Sequence, residues 1–301
     1  MKPTLVVLAA GMGSRYGGVK QIQPVGPHDE IILEYSVFDA LRAGFGKVVF
    51  VLRRDIVDDF SSHVLSRIKG IETAIVLQDL QNLPQGYSVP SGREKPWGTG
   101  QAIIATEPEI HEPFAVINAD DFYGADAYKV MGSYLSKLKV DQPAFGMVGY
   151  ALKNTVSDFG SVSRGICKVD AKKRLVSVEE HTKIEKTAAG IVSHLPDGTD
   201  FFCSGEETVS MNLFGFTPLL FPHLKQQFKD FLSAKGQELK SEFYIPTVVN
   251  TLVQGGLAHL EVLRSDAVWF GITYREDLPS TVANIRALVN KGDYPEQLWK
   301  R

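Results

Sequence analysis

The chain has 301 residues, 44% hydrophobic and 22% charged, with a formal net charge of −3. This is ordinary globular composition, which excludes an intrinsically disordered chain, and the slight acidic balance excludes a protein that coats nucleic acid or an anionic membrane. Two cysteines, Cys167 and Cys203, cannot build a disulfide framework or a multi-cysteine metal site, so a reducing, cytoplasmic compartment is the default expectation.

Residues 4–10 form an apolar, β-branched run, the pattern of a strand buried on both faces. The run is too short to cross a bilayer and leads straight into glycines, so it reads as neither signal peptide nor membrane anchor. Residues 33–43 carry Leu33, Val37, Phe38 and Leu41 on one helical face, with Gly44 as a stop. Residues 47–52 predict a second buried strand, 55–68 a helix, 71–77 a third strand and 114–118 a fourth. Residues 127–138 return to helical spacing through Met131, Leu135 and Leu138. Strand–helix alternation of this kind predicts an α/β fold with a doubly wound, mostly parallel sheet covered on both faces. Ligands of such sheets sit beyond the carboxyl ends of the strands. Those ends are residues 10–13, Gln78 and residues 118–121.

The second half is richer in strands. Short strands are predicted at 143–150, 161–169 and 175–180. A pair at 188–193 and 199–203 flanks the turn Pro196-Asp197-Gly198. Residues 209–216 predict a strand, 219–232 and 244–253 helices, 258–263 and 268–270 strands, and 278–289 a final helix. Residues 79–97, with Pro84, Gly86, Pro90, Gly92 and Pro96, form the longest irregular stretch. Loops of that length are usually functional lids or disordered.

The stretch Leu8-Ala9-Ala10-Gly11-Met12-Gly13-Ser14-Arg15-Tyr16-Gly17-Gly18-Val19-Lys20-Gln21 is the most informative. Glycines directly after a buried strand let backbone N–H groups approach a phosphate, and Arg15 and Lys20 add positive charge, a combination suited to a polyphosphate. A dinucleotide fingerprint would need a glycine where Tyr16 stands and a helix where Gly17, Gly18, Pro24, Gly26 and Pro27 forbid one. Arg53 and Arg54 after the second strand keep an NADP-dependent oxidoreductase open as an alternative. A P-loop would need Gly-Lys-Ser/Thr, and Lys20 lies between Val19 and Gln21. A flexible turn with two solvated cations is the bland alternative.

This stretch resembles the signature of the sugar-1-phosphate nucleotidylyltransferases, L-A-A/G-G-x-G-x-R, a spacer, then Lys. The spacer here is shorter than in hexose-1-phosphate members and closer to the molybdenum-cofactor and cytidylyltransferase branches. The resemblance implies the nucleotide-diphospho-sugar transferase fold, with an NTP-binding half over residues 1–140 and an acceptor-binding half of the same domain over 141–301. It implies that Leu8, Ala9, Ala10, Gly11 and Gly13 wrap the NTP phosphates and that Arg15 and Lys20 stabilise the reacting α-phosphate and the leaving pyrophosphate. Trp97-Gly98-Thr99-Gly100 resembles the segment that approaches the base, with Thr99 also suited to capping a helix, and Gln78 resembles a glutamine that reads a pyrimidine edge, with Lys95 a competitor. Asn118-Ala119-Asp120-Asp121 resembles the strand end whose Asp, here Asp120, holds Mg²⁺. Asp121 falls at a variable position of the pattern. The second metal aspartate of the pattern is replaced by Gly271 in Trp269-Phe270-Gly271. Asp266 is a candidate substitute, and Asp277 is expected to cap the last helix.

For the acceptor, Phe159-Gly160-Ser161-Val162 and Val178-Glu179-Glu180-His181 resemble segments that border the sugar and its phosphate. They bring in Gly160 and Glu180, with Asn212 on a neighbouring strand suited to hydroxyl groups. His181 replaces a lysine of the pattern, and Lys183 is a candidate replacement. The implied reaction transfers NMP from an NTP to a phosphorylated acceptor such as a sugar 1-phosphate, with Mg²⁺ as cofactor and an NDP-sugar and pyrophosphate as products. A nucleotide-binding protein without turnover and a cytidylyltransferase acting on a non-sugar phosphate remain alternatives. The chain carries no hexapeptide repeat, so no fused acyltransferase is expected. The base, the acceptor and the oligomeric state, a homo-oligomer included, are left open.

Overall fold

The structure, a computed structural model, describes residues 1–11, 23–157, 160–195, 197–272 and 276–300. In chain order the elements are β1 (Thr4–Leu8), α1 (Ile32–Arg42), β2 (Lys47–Leu52), α2 (Val57–Phe60), β3 (Glu72–Leu77), α3 (Thr99–Ala105), β4 (Phe114–Asn118), β5 (Asp121–Phe122) and α4 (Ala125–Leu135). They continue with β6 (Ala144–Ala151), β7 (Val162–Val169), β8 (Leu175–Thr187), β9 (Gly190–His194), β10 (Asp200–Cys203) and β11 (Thr208–Phe216). The last are α5 (Leu220–Lys235), α6 (Ile245–Gln254), β12 (His259–Arg264), β13 (Phe270–Gly271) and α7 (Asp277–Lys291).

One eleven-stranded sheet runs β10-β9-β8-β7-β11-β4-β1-β2-β3, with β6 also on β11 and β12 on β6. Strands β3, β2, β1 and β4 are parallel, as are β6 and β12, while β11 and the β7–β10 ribbon are antiparallel. The sheet therefore crosses from residues 1–140 into 141–301 at the β4–β11 pair without a break. Period-two alternation sorts the strand side chains between two cores. Leu5, Val7, Ala115 and Ile117 pack under α1, the helical stretch 57–65 and α4; Val6, Phe114 and Val116 pack under α3, α5 and α6. β1 and β4 are nearly solvent-free, which is why their sequences are continuous apolar runs.

A third cluster joins α1, α7 and the C-terminal segment through Tyr35, Ile285, Tyr294 and Leu298. Polar bonds fix it. Tyr294 Oη donates to Asp39 Oδ2 (2.6 Å), Trp299 Nε1 to Glu34 Oε1 (3.0 Å), the Leu298 amide to Glu30 Oε1 (3.3 Å), and Arg42 to the Asp293 carbonyl (2.8 Å). Glu34 Oε2 also accepts from the Ile31 amide (2.9 Å), and Arg67 lies 3.2 Å from Oε1. The C-terminal segment thus holds α1 along its length, and the Pro24–Ile31 bridge ties down the residues before it. At Gly26 a Cβ would meet Glu30 Oε2 at 2.3 Å and Tyr35 Oη at 2.5 Å, so only glycine fits that turn.

Burial raises the Glu34 pKa from 4.5 to about 7 and that of Asp39 from 3.8 to about 6, against the pull of their donors. Each group binds its proton more tightly folded than unfolded. Their contribution is therefore full below the unfolded pKa and is lost as pH rises through the folded value. We expect unfolding free energy to fall between pH 5 and 7.5. Glu34→Gln, measured by urea titration across that range, removes up to about 3 kcal/mol of the slope.

Candidate functional site

The site is built at the carboxyl ends of β1 and β4, where the strand order reverses. Leu8 lies opposite Val51 on one side and Asn118 on the other. The Ala9 amide donates to the Val51 carbonyl (3.0 Å) and the Ala119 amide to the Leu8 carbonyl (3.2 Å). Ala9 and Ala10 are buried, Leu8 is half-buried, and Gly11 is exposed with open space where a Cβ would stand. Residues 8–11 and Asp120 are thus brought side by side. Gly13, Arg15 and Lys20 lie outside the described residues.

Asp120 is half-buried at the end of β4. Next to it, Asp121 Oδ2 accepts from Asn118 Nδ2 (3.0 Å) and Tyr123 Oη (3.3 Å), and β5 pairs antiparallel with β13, Gly271 opposite Asp121. A Cβ at Gly271 would stand 3.1 Å from Asp121 Oδ1, 3.2 Å from the Asp120 carbonyl and 3.0 Å from the Trp269 ring. Any side chain at 271 would need these neighbours to give by a few tenths of an ångström, so the bridge is tight at this position. Among the described residues no group of three or more His, Cys, Asp or Glu side chains could hold a metal ion. The Asp266 side chain points to solvent, 95% exposed beside Arg264, and so does not substitute at this position. Asp277 is not the cap of the last helix. It is the first residue of α7, whose N-cap is Glu276, and its carboxylate accepts from Ser157 Oγ (3.2 Å).

On the β3 side, Gln78 Nε2 donates to the Gly98 carbonyl (3.0 Å) and to Gln101 Oε1 (2.8 Å), while Gln101 Nε2 donates to the Asp79 carbonyl (3.1 Å). Both amide hydrogens of Gln78 are spent, and its oxygen is left as an acceptor. Gly98 has φ 101°, and a Cβ there would meet the Phe243 backbone at 2.7 Å, so the close approach that demands glycine is to residue 243 of the chain itself. Thr99 does not cap α3; Gly98 occupies that position, and Thr99 Oγ1 accepts from the Ile245 amide (3.0 Å) at the start of α6. Lys95 pairs with Glu242, and Arg53 is held by Asp55.

Residues 79–97 are packed down rather than loose. Trp97 is fully buried and Arg93 stacks on it at 3.6 Å, donating to the carbonyls of Glu238, Pro96 and Ser241 (2.7, 3.2 and 2.6 Å). Trp97 Nε1 donates to the Leu80 carbonyl (3.0 Å), and Tyr87 Oη reaches α5 at the Lys229 carbonyl (3.1 Å).

In the second half, Glu180 lies opposite Gly165, its carboxyl over a spot where a Cβ would be 3.4 Å away. Desolvation raises its pKa, with Arg164 and His181 pulling it back. Gly160 is half-buried just before β7, and Asn212 has φ 62° in the bulge of β11 between Ser210 and Phe214. His181 is buried with Nδ1 2.7 Å from Ser193 Oγ, while Lys183 is largely exposed beside Glu185. Directly across from His181, Arg164 is also buried, a residue that sequence reasoning passed over.

No protein-family model matches the chain, and no curated protein matches its sequence. Solved structures do match its fold. The inositol-1-phosphate CTP transferase from T. maritima aligns with a TM-score of 0.64 at 16% identity over 97% of each chain. A protein described as a glucose-1-phosphate thymidylyltransferase from Bacillus anthracis, in complex with sucrose, gives 0.62 at 14% identity over 94% of this chain and 95% of its own. A UDP-glucose pyrophosphorylase complexed with UDP-glucose gives 0.60 at 17% over 95% and 99%. The chain has the mixed α/β fold of these nucleotidyltransferases, as its glycine stretch implies. No helix among the described residues is long and apolar enough to cross a membrane.

Arg93→Ala removes the stack and the guanidinium's bonds to the Glu238, Pro96 and Ser241 carbonyls. We expect a loss of about 2 kcal/mol and faster hydrogen exchange confined to residues 79–97 and 238–243, read by mass spectrometry.

Proposed function

We propose that the protein is a nucleotidylyltransferase that moves NMP from an NTP to a phosphorylated acceptor, releasing pyrophosphate. The observation that carries the reading is the position of Leu8–Gly11 beside Asp120 at the strand-order reversal, with the run through Arg15 and Lys20 following directly. The fold likeness to enzymes named for CTP, thymidylyl and uridylyl transfer to sugar or inositol 1-phosphates supports it. So does the acceptor oxygen of Gln78, which can take a hydrogen bond from a base N–H.

The acceptor phosphate is already ionised at neutral pH, so no general base is needed, and catalysis reduces to positioning and charge neutralisation. Backbone N–H groups of the glycine stretch would bind the triphosphate, with Arg15 and Lys20 set against the α-phosphate and the departing pyrophosphate. A carboxylate at a strand end, with no all-protein cage among the described residues, is the donor set Mg²⁺ takes when phosphate oxygens and water complete its shell; Asp120 would hold it. The ion, when bound, neutralises charge on the phosphates. Glu180, Gly160 and Asn212 would border the acceptor, and residues 141–301, with the antiparallel ribbon that carries Glu180, would be the acceptor-binding part. A soluble cytoplasmic enzyme fits this chemistry.

Pyrophosphate release from four NTPs against a panel of phosphorylated sugars and alcohols, with Mg²⁺, tests the reading. We expect turnover with at least one pair, and a loss of about a hundredfold or more in kcat for Lys20→Ala. Asp120→Ala should abolish the Mg²⁺-dependent rate. NTP binding with no release from any pair would make the protein a nucleotide binder instead.

A further inference from the structure

Two arginine–tryptophan stacks stand among the described residues, and they differ in their hydrogen bonds. In the Arg93–Trp97 stack both terminal nitrogens of the arginine carry two acceptors each, its buried Nε has none, and the indole N–H is bonded to the Leu80 carbonyl. Arg164, 8% exposed, stacks on Trp269 with its guanidinium carbon 4.5 Å from the ring centroid. Its Nε (3.1 Å) and Nη2 share a single acceptor, the Thr155 carbonyl, and Nη1 donates to the Ser163 carbonyl (2.8 Å). One N–H on each terminal nitrogen therefore has no acceptor among the described residues. Trp269 Nε1 is buried and has no hydrogen-bond partner either.

No carboxylate stands within ion-pair distance of Arg164 among the described residues. Asp121 and Glu180 act on it only from farther away, and burial pulls its pKa down to about 10. A buried guanidinium without an ion pair, stacked on an indole whose buried N–H has no acceptor among the described residues, is costly unless an anion completes it. The position fits one. Trp269 packs against Gly271 beside Asp120 and Asp121, and Arg164 lies across from His181, in the strands that border the acceptor. His181 is turned onto Ser193 and Lys183 onto Glu185, so neither supplies a buried cation there.

We propose that Arg164 and Trp269 form an oxyanion site that binds the phosphate of the acceptor, the guanidinium supplying charge and both side chains supplying N–H donors. The ligand's identity rests on the nucleotidyl-transfer reading; the site itself does not.

The test is thermal melting of the full chain titrated with inorganic phosphate, pyrophosphate and glucose 1-phosphate, alongside KM for acceptor and NTP. Inorganic phosphate and glucose 1-phosphate should raise the wild-type melting temperature and compete for one site. Trp269→Phe keeps an aromatic face for Arg164 but removes the N–H. It should melt near the wild type without ligand, bind phosphate about tenfold more weakly, and raise the acceptor KM about tenfold with the NTP KM unchanged. Arg164→Met should lose phosphate binding, and Arg164→Lys should regain part of it. If Arg164→Met does not fold, Trp269→Phe decides. Equal phosphate binding by Trp269→Phe and wild type, no phosphate binding by wild type, or stabilisation by pyrophosphate alone would overturn the proposal. Phosphate binding that depends on Trp269, in a chain that releases no pyrophosphate, would keep this site and contradict the functional reading.

Discussion

The register between β1 and β4, with Leu8 opposite Asn118, is the constraint on which the rest of the site depends. Both strands are buried on two faces, so a slip of one residue would turn the side chains of each into the wrong core. Locked in this way, both chains leave the sheet at the same height. The Ala119 amide is then tied to the Leu8 carbonyl, and the segments that lead to Gly11 and to Asp120 leave the sheet side by side at the point where the strand order reverses. Nothing in the site requires Gly11 and Asp120 to be close in sequence. The sheet brings them together.

The residues that follow the glycine stretch are also held. Beyond it the chain is caught by the Glu30–Ile31 turn, and the C-terminal segment bonds to Glu30, Glu34 and Asp39 of that region. Three buried carboxylates are an expensive way to anchor a helix, since each must be paired or protonated. Here Arg42, Arg67, Trp299 and Tyr294 supply the donors. On the other flank, Arg93 and Trp97 pin residues 79–97 to α5 and to residues 238–243. The framework around the strand ends is therefore stiff on both sides.

Much of this was legible in the sequence, and the reasons are local. β1, β2 and β4 read directly because strands buried on both faces are unbroken apolar runs. Helices α1, α4, α5 and α7 read from their single apolar stripes. β8 was legible only as far as Glu180. Its continuation, His181 to Thr187, has mostly polar, exposed side chains on a ribbon at the sheet's edge, where no apolar pattern is imposed. β13 spans two residues and pairs with β5 rather than with the main sheet, which short runs cannot reveal. Residues 79–97 looked like a lid because prolines and glycines dominate them, yet what fixes them is an arginine whose acceptors lie about 145 residues away. Thr99 was read as a cap for its own helix and serves another one, for the same reason.

The candidate site divides along the same line. Residues at the strand ends, Leu8 to Gly11, Gln78 and Asp120, can be singled out from sequence because position after a buried strand is itself a signal. Arg164 and Trp269 carry no such signal. A lone arginine in a strand is unremarkable until its burial and missing counterion are seen. The glycine at 271, a departure from the resembling pattern, sits in a tight place that only pairing shows, with the Asp121 carboxylate across the bridge. The measurement closest to the central claim is mass-spectrometric identification of the product when the chain is given an NTP, Mg²⁺ and a phosphorylated acceptor. The account predicts a species equal to NMP plus acceptor, formed in step with pyrophosphate. Saturable NTP binding that leaves every acceptor unmodified would contradict it.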